Sequence, residues 1–131
     1  MSEGMKKTFS NNTKWEDYVG YSRAVRLGNT IEVSGTVAID DDGKAVGIND
    51  AYEQTVFIIR KAEEAIQALG GSLSDVIRTR IFTSDISLWE EIGKAHGEFF
   101  GTIKPASTMV EISRLIMPEN LVEIEFTAQI H

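Results

Sequence analysis

Residues 49–83 read NDAYEQTVFIIRKAEEAIQALGGSLSDVIRTRIFT and carry the strongest structural signal in the sequence. Asn49 or Asp50 can cap a helix, and apolar residues recur every three to four positions as far as Leu69, which predicts one buried stripe. Gly70 follows the helix end, where glycine is favoured. The end of the stretch alternates with the two-residue period of a strand, so we expect a helix that returns into a sheet.

The elements around this stretch predict an α+β fold. A second helix begins at the capping box Ser87–Glu90 and ends near Phe100. Right-handed crossovers place both helices on one face of the sheet. Residues 1–18 show no periodicity and are interpreted as a tail, in a single domain of residues 1–131. Alternation predicts five strands, at residues 20–27, 30–40, 76–83, 106–115 and 121–130.

The composition excludes several classes of protein. Lysine and arginine number 13 against 20 acidic residues, a net charge of −7, which disfavours binding to nucleic-acid phosphates. The absence of cysteine excludes a disulfide framework and thiolate catalysis, and it fits a cytoplasmic protein. Apolar runs such as Val56–Ile59 are far shorter than the ~20 residues of a membrane span, so no membrane partner is expected.

The face of the sheet away from the helices has an unusual composition. Charges of both signs alternate with Phe82 and Met109, which fits either an ordinary solvated face or an inter-subunit surface with a polar cleft. Periodicity leaves these two interpretations open. The outward residues are predicted to be Glu32, Ser34, Thr36, Arg78, Arg80, Phe82, Ser107, Met109, Glu111, Glu123 and Glu125.

Common catalytic motifs are weak or missing in this sequence. The segment Gly20–Ala24 nearly matches a nucleophile elbow, but it lacks the final glycine and leads into a hairpin. His96 and His131 are the only histidines that could serve as a base. His96 lies in the second helix near its inward stripe, which favours a structural role. We find no phosphate loop and no set of metal ligands, so no metal is expected.

Several segments together resemble the RidA (YjgF) family. The likeness extends over residues 20–130, and the combination is specific although each segment alone is weak. The resemblance implies a chorismate-mutase-like fold, a sheet of about six strands, and a homotrimer with a small-molecule cleft at each subunit interface. It implies no cofactor. The matching segments are Tyr21–Val25, Gly28–Asn29, Val33–Gly35, Gly70–Val76, Lys104–Ala106 and Val122–Glu125.

The resemblance also implies an activity. Relatives of the deaminase type hydrolyse enamines and imines, and they release ammonia and a 2-keto acid. In those relatives a glutamate on the last strand positions water, and a tyrosine and a serine–glycine pair line the pocket. These positions correspond here to Glu123, as the catalytic residue, and to Tyr21, Ser34 and Gly35, as substrate-binding residues.

One functional residue of the deaminases is absent from this chain. They carry an arginine directly after Pro-Ala that grips the substrate carboxylate, whereas this chain has Ser107 after Pro105–Ala106. Two positions on, Met109 replaces a frequent cysteine, and the connection over residues 114–123 is one residue longer. The chain therefore resembles an arginine-lacking branch of the family.

The missing arginine shapes the expected function. Hydrolysis of an imine, enamine or related C–N bond is the leading hypothesis, with weak activity on 2-aminoacrylate and 2-iminobutanoate. Arg80 is a candidate replacement cation because it is predicted to share a face with Ser107 and Glu123, although a surface or interface ion pair is the simpler interpretation of this residue. The alternatives are a non-catalytic binding or regulatory trimer, and a ribonuclease or translation inhibitor, which the charge of −7 disfavours.

Overall fold

The computed structural model describes residues 5–131 as one mixed six-stranded sheet with two long helices against one face. The strand order is β1-β2-β3-β6-β4-β5, and β4 and β5 are parallel whereas the other neighbours are antiparallel. This confirms the predicted α+β class. The elements are β1 (Lys7–Phe9), α1 (Lys14–Val19), β2 (Ala24–Leu27), β3 (Thr30–Thr36), α2 (Ala51–Ala68), β4 (Val76–Thr83), α3 (Trp89–Phe100), β5 (Ala106–Glu111) and β6 (Val122–Gln129).

The expected N-terminal tail contains a short strand and a short helix, so that prediction was wrong for the described part. Lys7–Phe9 pairs with β2 at the edge of the sheet, and Lys14–Val19 is a helix. The Thr13 hydroxyl caps this helix, and the Glu16 carboxylate accepts back from the Thr13 amide. Both elements are too short to show periodicity, which is why sequence analysis missed them. Residues 1–4 lie outside the described residues.

Helix α2 has the predicted ends and the predicted buried stripe. The Asp50 carboxylate accepts a hydrogen bond from the Glu53 amide at 2.9 Å, which caps the first turn. Gly70 adopts φ +93° directly after the helix, a conformation that glycine tolerates best. The core lies between this helix, α3 and the sheet. Its largest fully buried apolar side chains are Ile31, Ile58, Ile59, Ile66, Ile92, Ile124 and Phe126.

Helix α3 begins differently from the predicted capping box. A single 3₁₀ turn at Ile86–Leu88 precedes it, and the Asp85 carboxylate caps that turn by accepting from the Ser87 amide at 3.0 Å. The helix itself starts at Trp89 without a side-chain cap. The Ser87–Glu90 capping box was therefore wrong, because the aspartate two residues earlier already satisfies the free amide. None of the helices within residues 5–131 is both long enough and apolar enough to cross a lipid bilayer.

A β-bulge interrupts the alternation of β3. Val33 pairs with Phe126 and Thr36 pairs with Ile124, so β3 contains one more residue than its partner at Ser34–Gly35. A shift of one residue turns every later side chain to the other face. Thr36 is consequently fully buried, whereas unbroken alternation predicted it on the outward face.

The outward positions predicted for Ser107, Met109 and Glu111 were also wrong, because edge strand β5 pairs with β4 in a register that turns them to the other face. Ser107 pairs with Thr79, Met109 with Ile81, and Glu111 with Thr83. Paired residues in neighbouring strands point to the same face. Thr79 and Ile81 are buried on the helix side of the sheet, so these three residues of β5 also lie on that side.

Candidate functional site

The bulge in β3 creates a close approach between the main chain and a carboxylate. Glu123 on β6 lies next to Gly35, and a Cβ added to Gly35 would come within 2.8 Å of Glu123 Oε2. Only glycine leaves this space free. Sheet bulges frequently lie beside active sites, where they redirect the local chain. The glycine and the glutamate that the resemblance implied are thus in direct contact within one chain.

Glu123 has the environment of a proton acceptor. The residue is half-buried, and its neighbour across the sheet is Phe82 on β4. Burial raises the pKa of the Glu123 carboxyl, the positive charge of Arg23 opposes that rise, and Glu125 adds to it. A carboxylate with an elevated pKa binds a proton from water more readily than an ordinary glutamate does. This is the property that a residue activating water requires.

Arg23 is the functional candidate that sequence reasoning missed. Its side chain is only 7% exposed, and its Nη2 donates a hydrogen bond to the Gly35 carbonyl oxygen at 2.6 Å. The guanidinium carbon lies 5.6 Å from the centre of the Tyr21 ring. The available signal was an arginine next to buried Ala24 at the start of a strand, and alternation alone assigns such a residue to the surface.

Tyr21 and Ser34 complete the same cluster. The Tyr21 amide donates to the Glu16 carbonyl oxygen at 3.0 Å, which fixes the chain just after α1. The Ser34 hydroxyl donates to the Ser22 carbonyl oxygen at 2.7 Å, so its remaining capacity toward a ligand is that of an acceptor. The structure therefore brings Tyr21, Ser34, Gly35 and Glu123 together with Arg23; whether they act on a substrate stays a prediction.

Ser107 and Met109 are separated from that cluster by the sheet. The Ser107 hydroxyl accepts a hydrogen bond from Thr79 Oγ1 at 2.7 Å, and Met109 packs against the core. Both side chains lie on the face of the sheet that packs against α2 and α3. Glu123 lies on the opposite face, which we call the open face. The prediction that Ser107 shares a face with Arg80 and Glu123 was wrong, because β5 pairs with β4 in the opposite phase to the one assumed.

His96 is connected to Ser107 by two hydrogen bonds through the Thr79 hydroxyl. Its Nε2 lies 2.9 Å from Thr79 Oγ1, and its ring centre lies 4.7 Å from that of Phe100. Since the Thr79 hydroxyl donates to Ser107, His96 Nε2 must donate to Thr79, which defines the neutral tautomer with hydrogen on Nε2. Burial lowers the pKa of His96 and favours this neutral form.

Arg80 lies on the open face, in an ion pair. Its Nη1 is 4.0 Å from Glu125 Oε1, and both side chains are nearly half exposed. Exposed pairs of this kind contribute at most about 1 kcal/mol. The surface ion pair considered from the sequence is thus present, and a role for Arg80 in substrate binding remains a prediction.

A concave region lies elsewhere on the chain. A shallow, open cleft of about 480 Å³ separates the outer side of α2 from residues 40–46. Lys61 lines it, and the Lys61 amine donates to the Ile39 carbonyl oxygen at 3.1 Å. The cleft contains none of the residues of the Glu123 cluster. Among residues 5–131, no three histidine or acidic side chains are grouped so that they could hold a metal ion.

Comparison with known proteins gives consistent relationships. The family model described as Endoribonuclease L-PSP matches residues 13–130. The chain is 34% identical over 109 residues to a RutC family protein of Pyrococcus abyssi, covering 82% of this chain and 84% of the relative. It is 30% identical over 110 residues to the 3-aminoacrylate deaminase RutC of Acinetobacter baylyi, covering 84% of this chain and 86% of the relative.

Solved structures give the same relationship. The crystal structure of Rv2704 from Mycobacterium tuberculosis, described as a member of the YjgF/YER057c/UK114 family, superposes with a TM-score of 0.87 at 41% identity. The match covers 95% of this chain and 99% of that one. The fold is therefore chorismate-mutase-like, as the resemblance implied, and the chain belongs to the RidA (YjgF) family.

Proposed function

We propose that this protein hydrolyses an imine, enamine or related C–N bond of a small metabolite, as a cytoplasmic homotrimer. The observation that carries the proposal is the position of Glu123, half-buried against Gly35 at the bulge of β3. A carboxylate whose pKa is raised by burial and that is held on a rigid strand is suited to activate a water molecule.

The chemistry follows from that position. Glu123 takes a proton from water while the oxygen adds to the imine carbon, and the proton passes to the nitrogen to give a carbinolamine. Loss of ammonia from the carbinolamine then yields the carbonyl product. One water is consumed and one ammonia is released, and neither an oxidant nor a cofactor enters the balance.

The separation of the predicted site residues supports a site built from two chains. Tyr21, Gly35 and Glu123 lie together, but Ser107 and Met109 lie on the other face and cannot meet them within one chain. If two copies associate through the open face of one and the β5 edge of the other, both sets line one cleft. In a closed cyclic trimer, each chain contributes one wall to each of two clefts.

The replacement of arginine by serine defines the expected substrate range. Charged hydrogen bonds contribute about 1.5–3 kcal/mol, so loss of a bidentate grip lowers turnover on the order of 10- to 100-fold. We therefore expect weak activity on 2-aminoacrylate and 2-iminobutanoate. The relative named 3-aminoacrylate deaminase supports the chemical class, namely deamination of a small enamine.

The test compares two glutamates on the same face of β6. Glu123→Gln should abolish ammonia release from a panel of generated imines, whereas Glu125→Gln should retain it, because Glu125 pairs with Arg80 instead. Both variants should melt within a few degrees of wild type. Equal activity of the Glu123→Gln variant and wild type contradicts the assignment. Failure of the wild-type protein on the whole panel, with a metabolite still bound, would favour a non-catalytic binding module.

A further inference from the structure

We propose that Arg23 binds the carboxylate of an anionic ligand in the Glu123 site and thereby replaces part of the grip that Ser107 cannot provide. The inference rests on the proposed function for the location of the site, and it adds the class of ligand, a small monocarboxylate. Its basis is an arginine that the fold buries without a direct ion pair among residues 5–131.

The guanidinium of Arg23 is buried with most of its donors unused. It carries five N–H groups, of which Nη2 donates to the Gly35 carbonyl oxygen. Its Nε is fully buried and has no hydrogen-bond partner within the described chain. Buried polar groups in native proteins are nearly always paired, so an unpaired arginine nitrogen indicates a missing partner. A carboxylate fits the planar fork of the guanidinium through two parallel hydrogen bonds.

No carboxylate of the described chain compensates this charge directly. Among residues 5–131, Arg23 has no ion pair within 4.0 Å. The buried Glu16 carboxylate is already engaged, because it accepts from the hydroxyls of Ser10 and Thr13 at 2.7 and 2.9 Å. A buried cation without a counter-ion is strongly unfavourable. Glu16 and Glu123 attract the Arg23 charge from beyond ion-pair distance, and a carboxylate bound directly to the guanidinium would compensate that charge more fully.

A ligand carboxylate bound at Arg23 would lie close to Glu123, the proposed catalytic residue. The guanidinium bonds Gly35, and Glu123 lies against the other side of that residue. The centre of the Tyr21 ring lies 5.6 Å from the guanidinium carbon, and Tyr21 is 36% exposed, so a ligand can reach this neighbour of Arg23 from solvent. A carboxylate at Arg23 therefore places the rest of a short ligand beside Tyr21 and Glu123. Because Glu123 repels a second negative charge, the ligand is a monoanion with a neutral reacting carbon.

The test measures equilibrium binding to the full-length protein. Calorimetric titration compares 2-oxobutanoate, the keto acid that hydrolysis of 2-iminobutanoate yields, with its uncharged methyl ester. Wild type should bind the acid at least about 10-fold more tightly than the ester. Arg23→Gln retains a donor for Gly35 but removes the charge, and it should bind the acid no better than the ester. Arg23→Lys should lie between, since lysine lacks the planar fork.

Arg26→Gln is the matched control. Arg26 lies three residues further along, on β2, and donates to the Gly28 and Leu69 carbonyl oxygens, away from the site. It should leave the affinity for the acid unchanged. Equal binding of acid and ester by wild type, or undiminished acid binding by Arg23→Gln, would overturn the proposal. So would a joint loss of ester binding and assembly in that variant, since Arg23 would then be structural.

These outcomes are independent of turnover. A stable keto acid reports binding even if the protein hydrolyses no imine, so a failure of the proposed function leaves the Arg23 result interpretable. Conversely, turnover of neutral imines together with equal binding of acid and ester would support hydrolysis and overturn the role of Arg23.

Discussion

The Glu123 carboxylate lies directly against the α-carbon of Gly35, where a Cβ would come within 2.8 Å of Oε2. The carboxylate therefore lies at the bulge of β3, and a larger residue at position 35 fits only if Glu123 moves. Since the bulge is also where Arg23 bonds the main chain, three elements of the proposed site depend on one glycine.

Gly35→Ala should therefore reduce activity far more than stability. The added methyl group meets the end of a side chain, so Glu123 can rotate away at a stability loss of about 1–3 kcal/mol. Rotation removes the carboxylate from the position that activates water, and a displacement of ~1 Å can lower the rate 100-fold. Thermal unfolding and initial rates measure the two effects.

Gly93→Ala on α3 is the control for the alanine substitution itself. A Cβ at Gly93 meets no atom within 4 Å. Because alanine is the better helix former, this variant should be more stable by up to about 1 kcal/mol and fully active. A Gly35→Ala variant as active as Gly93→Ala contradicts the assigned contact.

The pH dependence of the rate should report Glu123. Burial raises the pKa of this carboxyl above its ordinary 4.5, and a base must be deprotonated to accept a proton. The acid limb of kcat/KM should thus have its midpoint above 4.5, with activity rising as the pH increases through it. Arg23→Gln should move the midpoint further up, because Arg23 lowers the pKa.

The raised pKa of Glu123 also determines whether this carboxyl stabilises or destabilises the fold at a given pH. A carboxyl with a raised folded-state pKa destabilises the fold at a pH above that pKa, and the penalty disappears as the pH falls through it. Glu123→Gln should therefore be neutral to stabilising at pH 7, and its advantage over wild type should vanish in acid. A large loss of stability in this variant at pH 7 would show that Glu123 is structural.

Ser107→Arg should recover part of the activity on 2-aminoacrylate and 2-iminobutanoate. The substitution restores the planar fork at the position where deaminases of this family carry it, while Glu123 and Tyr21 are unchanged. Recovery should be incomplete because Met109 and the longer 114–123 connection alter the pocket. Ser107→Lys is the matched control and should recover less, since a point charge cannot form two parallel hydrogen bonds.

The measurement couples a generating dehydratase to keto-acid detection, with an arginine-bearing relative for comparison. Wild-type turnover equal to that relative would contradict the argument from the missing arginine. In that case Arg23→Gln would show whether Arg23 alone provides the whole grip on the carboxylate, and Arg80→Ala would show whether Arg80 contributes to it.

A homotrimer with shared sites is testable by subunit mixing. Light scattering should give about three times the chain mass of 14.5 kDa. Glu123→Gln disables one wall of the cleft, and Ser107→Trp blocks the other. Mixed and reassembled in equal amounts, the two inactive variants should regain about one quarter of wild-type activity, because each site then draws its walls at random from two chains. A monomer, or no recovery on mixing, contradicts the shared site.

The sequence predicted the elements whose signals are long and regular. Helix α2 has its cap at Asp50 and its end before Gly70 as expected, and β6 presents Ile124, Phe126 and Ala128 to the core without interruption. The family resemblance brought Tyr21, Ser34, Gly35 and Glu123 into one candidate site. The structure places Glu123 against Gly35 and connects Gly35 to Tyr21 through Arg23, and a shared substrate site stays a prediction.

The errors have local physical causes. A bulge inserts one residue without a distinctive composition, so the alternation through Ser34–Gly35 predicted the wrong face for Thr36. A second irregularity between Val76 and Arg78 exposes Ile77, which was expected on the core face with Ile81. The phase of β5 depends on its pairing with β4, and the alternation of an exposed edge strand does not determine it. Arg23 was missed because its burial results from tertiary contacts.

The proposed hydrolase activity is tested most directly by measuring ammonia release by the wild-type trimer. The substrates are a panel of freshly generated imines and enamines with and without a carboxylate. The account predicts acceleration of at least one class above the uncatalysed rate, loss of that acceleration in Glu123→Gln, and its retention in Glu125→Gln. No acceleration with any member of the panel, by protein of confirmed assembly, would contradict it.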